Sequence, residues 1–139
     1  MQIQRALSVD DELVEAFAHL MPLLNDHAPA PTSDDLAEIC RTAYLLVARD
    51  PDIVGVLTLT VYRVPTGLNA RIDDVIVATE ARGRGVGEAL TREAIERARA
   101  AGAKAVSLTS HPRREAANRL YQRVGFERRE TNVYSYKLR

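Results

Sequence analysis

The stretch that decides the fold begins at Val75-Ile76-Val77 and continues into Arg82-Gly83-Arg84-Gly85-Val86-Gly87-Glu88, where a predicted strand leads into a predicted helix. Three glycines within five residues let the backbone approach a ligand closely. The N–H groups that open a helix point outward, and the helix dipole adds about half a positive charge there. Arg82 and Arg84 supply further positive charge. The segment therefore predicts a site for a phosphate or diphosphate, since an ordinary turn does not need three glycines.

The spacing of these glycines narrows the class of anion. A Walker loop for ATP or GTP requires Gly-Lys followed by Ser or Thr, and Gly87-Glu88-Ala89 does not fit this pattern. The dinucleotide-binding fingerprint has two residues between its second and third glycines, whereas Val86 alone separates Gly85 from Gly87. The pattern disfavours nucleoside triphosphates and NAD.

The remaining sequence predicts an α/β fold, with one mixed sheet and helices on both of its faces. Apolar periodicity and capping residues give the order β-α-α-β-β-β-α-β-α-β. An antiparallel meander occupies residues 44–78, and Gly102 and Gly125 end the two later helices. The later elements are strands at 104–109 and 131–138 and helices at 86–101 and 113–124. Because no linker or repeat divides the chain, residues 1–139 are expected to form one domain.

Composition and charge argue against several classes of protein. The chain of 139 residues carries 19 basic and 19 acidic side chains, so no general attraction to nucleic acid or to an anionic membrane is expected. Nucleic-acid binding through a basic helix face at residues 113–123 is the weakest alternative. The chain has no long apolar run and no apolar N-terminal segment, which predicts a cytoplasmic protein. Cys40 is expected in the core rather than as a reactive thiol.

Two blocks of the sequence resemble the GNAT superfamily of N-acetyltransferases. The signature of that family is Arg or Gln, two residues, Gly, one residue, and then Gly or Ala, and residues 82–87 match it fully. Residues 115–126 resemble a second family block, which ends in Leu-Tyr, three residues and Gly-Phe. The two blocks together, in this order, are far more specific than either alone. The resemblance covers roughly the second half of the chain, and the predicted order of elements agrees with the family fold.

The resemblance implies acetyl-CoA as the co-substrate and relates particular residues to it. In the family, backbone groups at the positions of Val75, Ile76 and Val77 pair with the pantetheine arm. Amides that match residues 83–88 hold the diphosphate, and the Asn at the place of Asn118 contacts the coenzyme. The implied coenzyme-binding residues are Val75, Ile76, Val77, Arg82, Gly83, Arg84, Gly85, Val86, Gly87, Glu88 and Asn118.

Tyr121 is the candidate general acid, because the family Tyr at its place lies near the thioester sulfur and can protonate the departing thiolate. An apolar stripe that includes Leu120 and Val124 offers a purely structural role for it. Proton transfer from a phenol of pKa ~10 to a thiolate of pKa ~8.5 is uphill by ~2 kcal/mol in water. Either the helix terminus and nearby arginines make the tyrosine more acidic, or a dry site makes the thiolate more basic.

Asp73 and Asp74 are the candidate general bases, since an attacking amine must lose its proton. Strand alternation places Asp73 with Val75 and Val77, and Asp74 with Ile76, so at most one carboxylate faces a pocket unless a bulge intervenes. An ion pair with an arginine for one carboxylate and solvation for the other are equally consistent with the sequence.

These observations favour an N-acetyltransferase that moves an acetyl group from acetyl-CoA to a primary amine. No Ser-His-Asp or Cys-His arrangement is apparent, so direct attack on the thioester is expected. The histidines have no metal-ligand spacing, which predicts no metal site. The alternative is an acyl-CoA sensor or scaffold without turnover. The expected acceptor is a small-molecule amine or a protein or peptide amine. Residues 131–136 suit an acceptor pocket, a homodimer edge or simple strand packing.

Overall fold

The computed structural model describes all 139 residues and contains two compact units, Met1–Thr109 and Ser110–Arg139. The elements of the first unit are β1 (Gln2–Ala6), α1 (Asp11–Leu24), α2 (Ser33–Thr42), β2 (Tyr44–Arg49), β3 (Ile53–Val64), β4 (Gly67–Val77), a short 3-10 turn (Thr79–Ala81), α3 (Val86–Ala101) and β5 (Val106–Ser107). The second unit contains one helix, α4 (Glu115–Val124).

The first unit is built on a single mixed sheet with the strand order β1-β2-β3-β4-β5. Neighbouring strands from β1 to β4 are antiparallel, as expected for strands joined by short connections. β5 lies parallel to β4, and α3 provides the crossover that a parallel pair requires. The predicted α/β class is therefore confirmed.

Helices cover both faces of this sheet. Gly55 of β3 lies against α3, because a Cβ added there would come within 2.9 Å of Val86 and 3.1 Å of Leu90. The opposite face carries α1, whose Glu12 accepts a 2.7 Å hydrogen bond from Arg49 of β2. Burial on both faces explains why β2 is apolar at consecutive positions rather than at alternate ones.

Local sequence signals place the helix ends of the first unit. Asp10 accepts a hydrogen bond from the N–H of Leu13 and so begins α1. Thr32 and Asp35 form a reciprocal capping box at the start of α2. Gly102 ends α3 with a left-handed backbone, φ +89°, which a glycine adopts without steric cost.

The strands predicted in the last third of the chain are shorter than expected or missing. β5 contains only Val106 and Ser107 of the predicted 104–109, because its pairing with β4 ends after Arg71. The predicted strand 131–138 does not form, and its apolar side chains Val133, Tyr134, Tyr136 and Leu138 are exposed. Val and Tyr at these positions favour a half-buried strand. A strand also needs a hydrogen-bonding neighbour, and no strand pairs with these residues.

Candidate active site

The sheet of the first unit opens between its two parallel strands. β4 pairs with β5 only at Ala70 and Arg71, and then runs on to Val77 with no strand on that side. On its other side β4 stays paired with β3 along almost its whole length. The segment Ile72–Val77 therefore has one held edge and one open edge, which is a backbone surface suited to an extended ligand. The predicted residues Val75, Ile76 and Val77 all belong to this segment.

A β-bulge interrupts β4 inside the open segment. Asp73 pairs with Thr58 and Ile76 pairs with Val56, so Asp74 and Val75 together stand opposite Leu57. The bulge changes which residues share a face: Asp73 now lies on the face of Ile76, whereas Val77 pairs with Gly55 and lies on the face covered by α3. The simple alternation expected from the sequence, Asp73 with Val75 and Val77, fails because of this extra residue.

Asp74 has a left-handed backbone, with φ +51°, and it is the only residue other than glycine with a positive φ. This conformation costs most L-residues roughly 1–2 kcal/mol, and Asp and Asn tolerate it best. Such backbone outliers are concentrated at functional sites, where the surrounding structure maintains them. The bulge thus sets the backbone of one of the two candidate bases.

We expect Asp74→Val to lower the free energy of unfolding by about 1–2 kcal/mol more than Asp74→Gly, because only valine is strained at this φ. Both substitutions remove the carboxylate, so the comparison isolates the backbone. Urea denaturation of the two variants measures the difference. Equal stability would show that position 74 does not require a left-handed residue.

The glycine turn has the geometry of an anion site. Gly83 and Gly85 both have φ +79°, and Gly85 is the N-cap of α3. A Cβ added to either glycine would meet no atom within 4 Å, so the space in front of the turn is open. A diphosphate therefore fits against the backbone here, and a side chain at these positions would be strained and would enter that space.

The start of α3 differs from the starts of the other helices of the first unit. α1 and α2 are capped by their own side chains, Asp10 and Thr32, whereas no side chain caps α3. Its first backbone hydrogen bond joins the N–H of Ala89 to the carbonyl of Gly85. The first-turn amides without a side-chain cap, at the positive end of a helix of 16 residues, are suited to an external anion.

The two arginines of the turn are bound to the protein's own groups. Arg82 Nε donates to the carbonyl of Val77 at 3.3 Å. Arg84 donates to the carbonyl of Glu80 at 3.0 Å and forms an ion pair with Asp50 at 3.6 Å. These contacts tie the turn to β4 and to the β2–β3 connection. Both arginines still contribute positive charge, but their hydrogen bonds position the turn.

Asp73 has a defined partner. Its Oδ2 accepts a 2.8 Å hydrogen bond from Arg71 Nε, and this carboxylate raises the pKa of the guanidinium above its ordinary value. The sequence offered an arginine pair as one alternative for these aspartates, and the structure contains such a pair at Asp73.

In the second unit, Asn118 holds the loop that precedes α4. Its Nδ2 donates to the carbonyl of His111 at 3.1 Å. His111 Nδ1 in turn accepts from the backbone N–H of Arg113 at 3.0 Å, so the exposed histidine organises the loop. The amide group of Asn118 is thus partly used within this unit.

Tyr121 is the half-buried aromatic residue of α4. Its ring packs edge-on against Phe126, with centroids 5.8 Å apart. Burial raises the pKa of the Tyr121 phenol, and the nearby charge of Arg114 acts in the opposite direction without cancelling it. If Tyr121 acts as the acid, this environment requires the other alternative, a thiolate made more basic in a dry site.

Three further features of the side chains concern metal ligands, the cysteine and the apolar character of the helices. No three His, Cys, Asp or Glu side chains are grouped as a metal site. Cys40 is buried, and burial raises the pKa of its thiol, which makes it a poor nucleophile. None of the helices combines the length and apolar character needed to cross a bilayer.

The chain matches the model of the Acetyltransferase (GNAT) family over residues 10–126, and it therefore belongs to that family. This confirms the resemblance carried by the two sequence blocks and establishes the class as acetyltransferase. No curated protein sequence matches the chain significantly.

Solved structures show the same fold over nearly the whole chain. A transcriptional regulator from Bacillus halodurans C-125 is 27% identical with a TM-score of 0.82, covering 98% of this chain and 99% of its own. An acetyltransferase from Trypanosoma brucei is 22% identical with a TM-score of 0.78, and the coverage is again 98% and 99%. An aminoglycoside acetyltransferase from an uncultured soil metagenomic sample, in complex with trehalose, is 20% identical with a TM-score of 0.83, covering 99% and 96%.

Sequence reasoning missed two features of the first unit. The sequence left a bulge open as an exception to strand alternation but did not locate it, although two successive Asp residues are unusual in a strand. A polar row on β3 and β4, which includes Thr60, Tyr62 and Arg71, also went unnoticed. It had a signal, since β3 is polar at every second position from Thr58 to Tyr62.

Proposed function

We propose that this acetyltransferase transfers the acetyl group of acetyl-CoA to a primary amine by direct attack on the thioester. The observation that carries the proposal is the open edge of β4 at residues 72–77, followed directly by an α3 terminus without a side-chain cap. An extended amide-bearing arm needs the open strand edge, and the diphosphate attached to that arm needs the adjacent helix terminus. The proposal takes residues 1–139 as one functional domain, which the family match across residues 10–126 supports.

The coenzyme is held mainly by backbone groups in this proposal. First-turn amides of α3, at Val86, Gly87 and Glu88, receive the diphosphate, and the positive φ of Gly83 and Gly85 keeps the approach open. The open edge at Val75–Val77 pairs with the pantetheine arm. Asn118 supplies a further polar contact by analogy with the family motif.

The acyl transfer needs one new bond, one broken bond and two proton movements. The amine nitrogen attacks the carbonyl carbon of the thioester, and the bond between carbon and sulfur breaks. Tyr121 gives its phenolic proton to the departing sulfur. Because burial raises the pKa of Tyr121, the thiolate must be made strongly basic by desolvation for this transfer to proceed.

The proton lost by the amine passes to Asp73 or Asp74. Asp73 is held by Arg71, whereas Asp74 sits at the bulge with its left-handed backbone, so the two carboxylates are positioned by different means. Single Asp→Asn variants separate them. Only the variant that has lost the base should have a rate that rises with the fraction of neutral amine.

Two measurements on the same preparation test the proposal. Calorimetry with acetyl-CoA is expected to show binding, and thiol release in the presence of a panel of primary amines is expected to show turnover. Binding without thiol release for any amine would instead identify an acyl-CoA sensor. Absence of binding would refute the proposed site.

A further inference from the structure

The exposed end of the β3–β4 hairpin carries a row of polar side chains on one face. Thr58 pairs with Asp73, Thr60 with Arg71, and Tyr62 with Asn69, so these residues alternate in step along the two strands. Paired residues in antiparallel strands point to the same side of the sheet. All six therefore share one face, the face that also carries Val56 and Ile76.

This polar row lies beside the place where the sheet opens. Arg71 is the last residue of β4 that pairs with β5, and Asp73 is the first of the row beyond that point. The row lies on the face opposite to α3. Gly55 touches α3 and pairs with Val77, and this pair is out of step with the pairs that form the row. This face also carries α1, but the side chains of Arg71 and Asp73 remain accessible beside the open edge.

Arg71 is the central group of the row. Its Nε donates to Asp73, and its guanidinium carbon lies 5.8 Å from the centre of the Tyr62 ring. The Arg71 side chain nevertheless remains 53% exposed, and Asp73 remains 44% exposed. An ion pair so exposed contributes little to stability, so folding does not explain the arrangement. A guanidinium fixed along one edge and accessible elsewhere is well suited to a planar anion.

We propose that Arg71, positioned by Asp73 and Tyr62, binds an anionic group of the acceptor. The acceptor is then a primary amine that also carries a carboxylate or a phosphate, and its amine reaches toward the bulge while its anion rests on Arg71. A polycationic amine is disfavoured because Arg71 repels it. This inference rests on the proposed function and names the class of its acceptor.

The test compares acceptors that differ in charge but not in the reacting amine. ω-Amino carboxylates of increasing chain length, their primary amides, aminoalkyl phosphates and simple diamines are assayed for acetyl-CoA-dependent thiol release. At the favoured length we expect kcat/KM for the anionic acceptor to exceed that for the amide about 10- to 100-fold. The carboxylate and phosphate series show which anion is preferred.

Arg71→Gln is expected to remove this preference through KM and to leave the KM for the amides little changed, because the lost contact acts on binding of the anion. Arg71→Lys should recover part of the preference, since it keeps the charge without the planar fork. Arg63→Gln is the matched control: Arg63 is exposed on the same hairpin but pairs with Leu68, one position out of step with the row, and thus lies on the other face. It should behave as wild type.

Equal kcat/KM for carboxylates and amides, a preference for diamines, or the same loss in Arg63→Gln would overturn the inference. Failure of the proposed function looks different, because then no amine releases thiol. In that case calorimetric binding of each amine to the protein saturated with coenzyme A still decides the question. Tighter binding of the anionic amines that is lost in Arg71→Gln supports the inference, and equal binding refutes it.

Discussion

Replacement of Gly85 by valine is expected to abolish detectable acetyl-CoA binding. Gly85 is the left-handed N-cap of α3, and valine at φ +79° is strained by roughly 1–2 kcal/mol, so the first turn reorients. The new side chain also enters the space in front of the turn, where no protein atom lies within 4 Å of a built Cβ. Loss of two charge-assisted hydrogen bonds, each about 1.5–3 kcal/mol, weakens binding at least ~100-fold. Isothermal titration calorimetry measures this change.

Gly102→Val provides the matched control for this prediction. Gly102 ends the same helix with nearly the same backbone, φ +89°, and a Cβ there would lie 4.0 Å from the nearest side chain, that of Leu68. Valine should therefore cost similar stability at both positions, seen as a similar fall in Tm. Only the Gly85 variant should lose acetyl-CoA. Equal affinity in both variants, or equal loss in both, would mean that the turn does not hold the coenzyme.

Tyr121→Phe is expected to lower kcat by about 10²- to 10⁴-fold while the affinity for acetyl-CoA stays within twofold or so of wild type. The phenol hydroxyl is removed, but the aromatic contact with Phe126 is retained. Steady-state kinetics together with calorimetry separate the two effects. Tyr134→Phe is the control, because Tyr134 is 87% exposed and has no role in the proposed proton transfer. Loss of coenzyme binding in the Tyr121 variant would contradict the acid role.

The pH dependence of stability offers an independent check on the Tyr121 environment. The unfolded phenol titrates near pH ~10, and burial raises the folded pKa above that value. Between the two pKa values, the unfolded state therefore binds fewer protons than the folded state. The stability that Tyr121 contributes is fully present below about pH 10 and is lost as pH rises through the folded pKa. Denaturation curves for Tyr121→Phe should lack this part of the decline, and an identical decline would show that Tyr121 is not buried.

Several features were determined by the sequence because they depend on local chemistry. Three glycines within five residues before a helical pattern predicted an anion site, and Gly83 and Gly85 do adopt the positive φ that glycine permits. Asp10 and Thr32 cap α1 and α2 through hydrogen bonds to residues three positions along the chain, so the nearby sequence determines where these helices begin. Two family blocks with the right order and separation sufficed to identify a GNAT acetyltransferase. The glycine turn, each cap and each family block taken by itself lie within about a dozen neighbouring residues.

Tertiary structure alone decided which side chains of β4 act together. The bulge opposite Leu57 moves Asp73 to the face of Ile76 and gives Asp74 its left-handed backbone, and this depends on the register with β3. Long-range pairing likewise ended β5 after Ser107 and left the predicted strand 131–138 without a partner. Strand register and pairing depend on residues distant in the chain, so neither alternation nor propensity in a single segment can determine them.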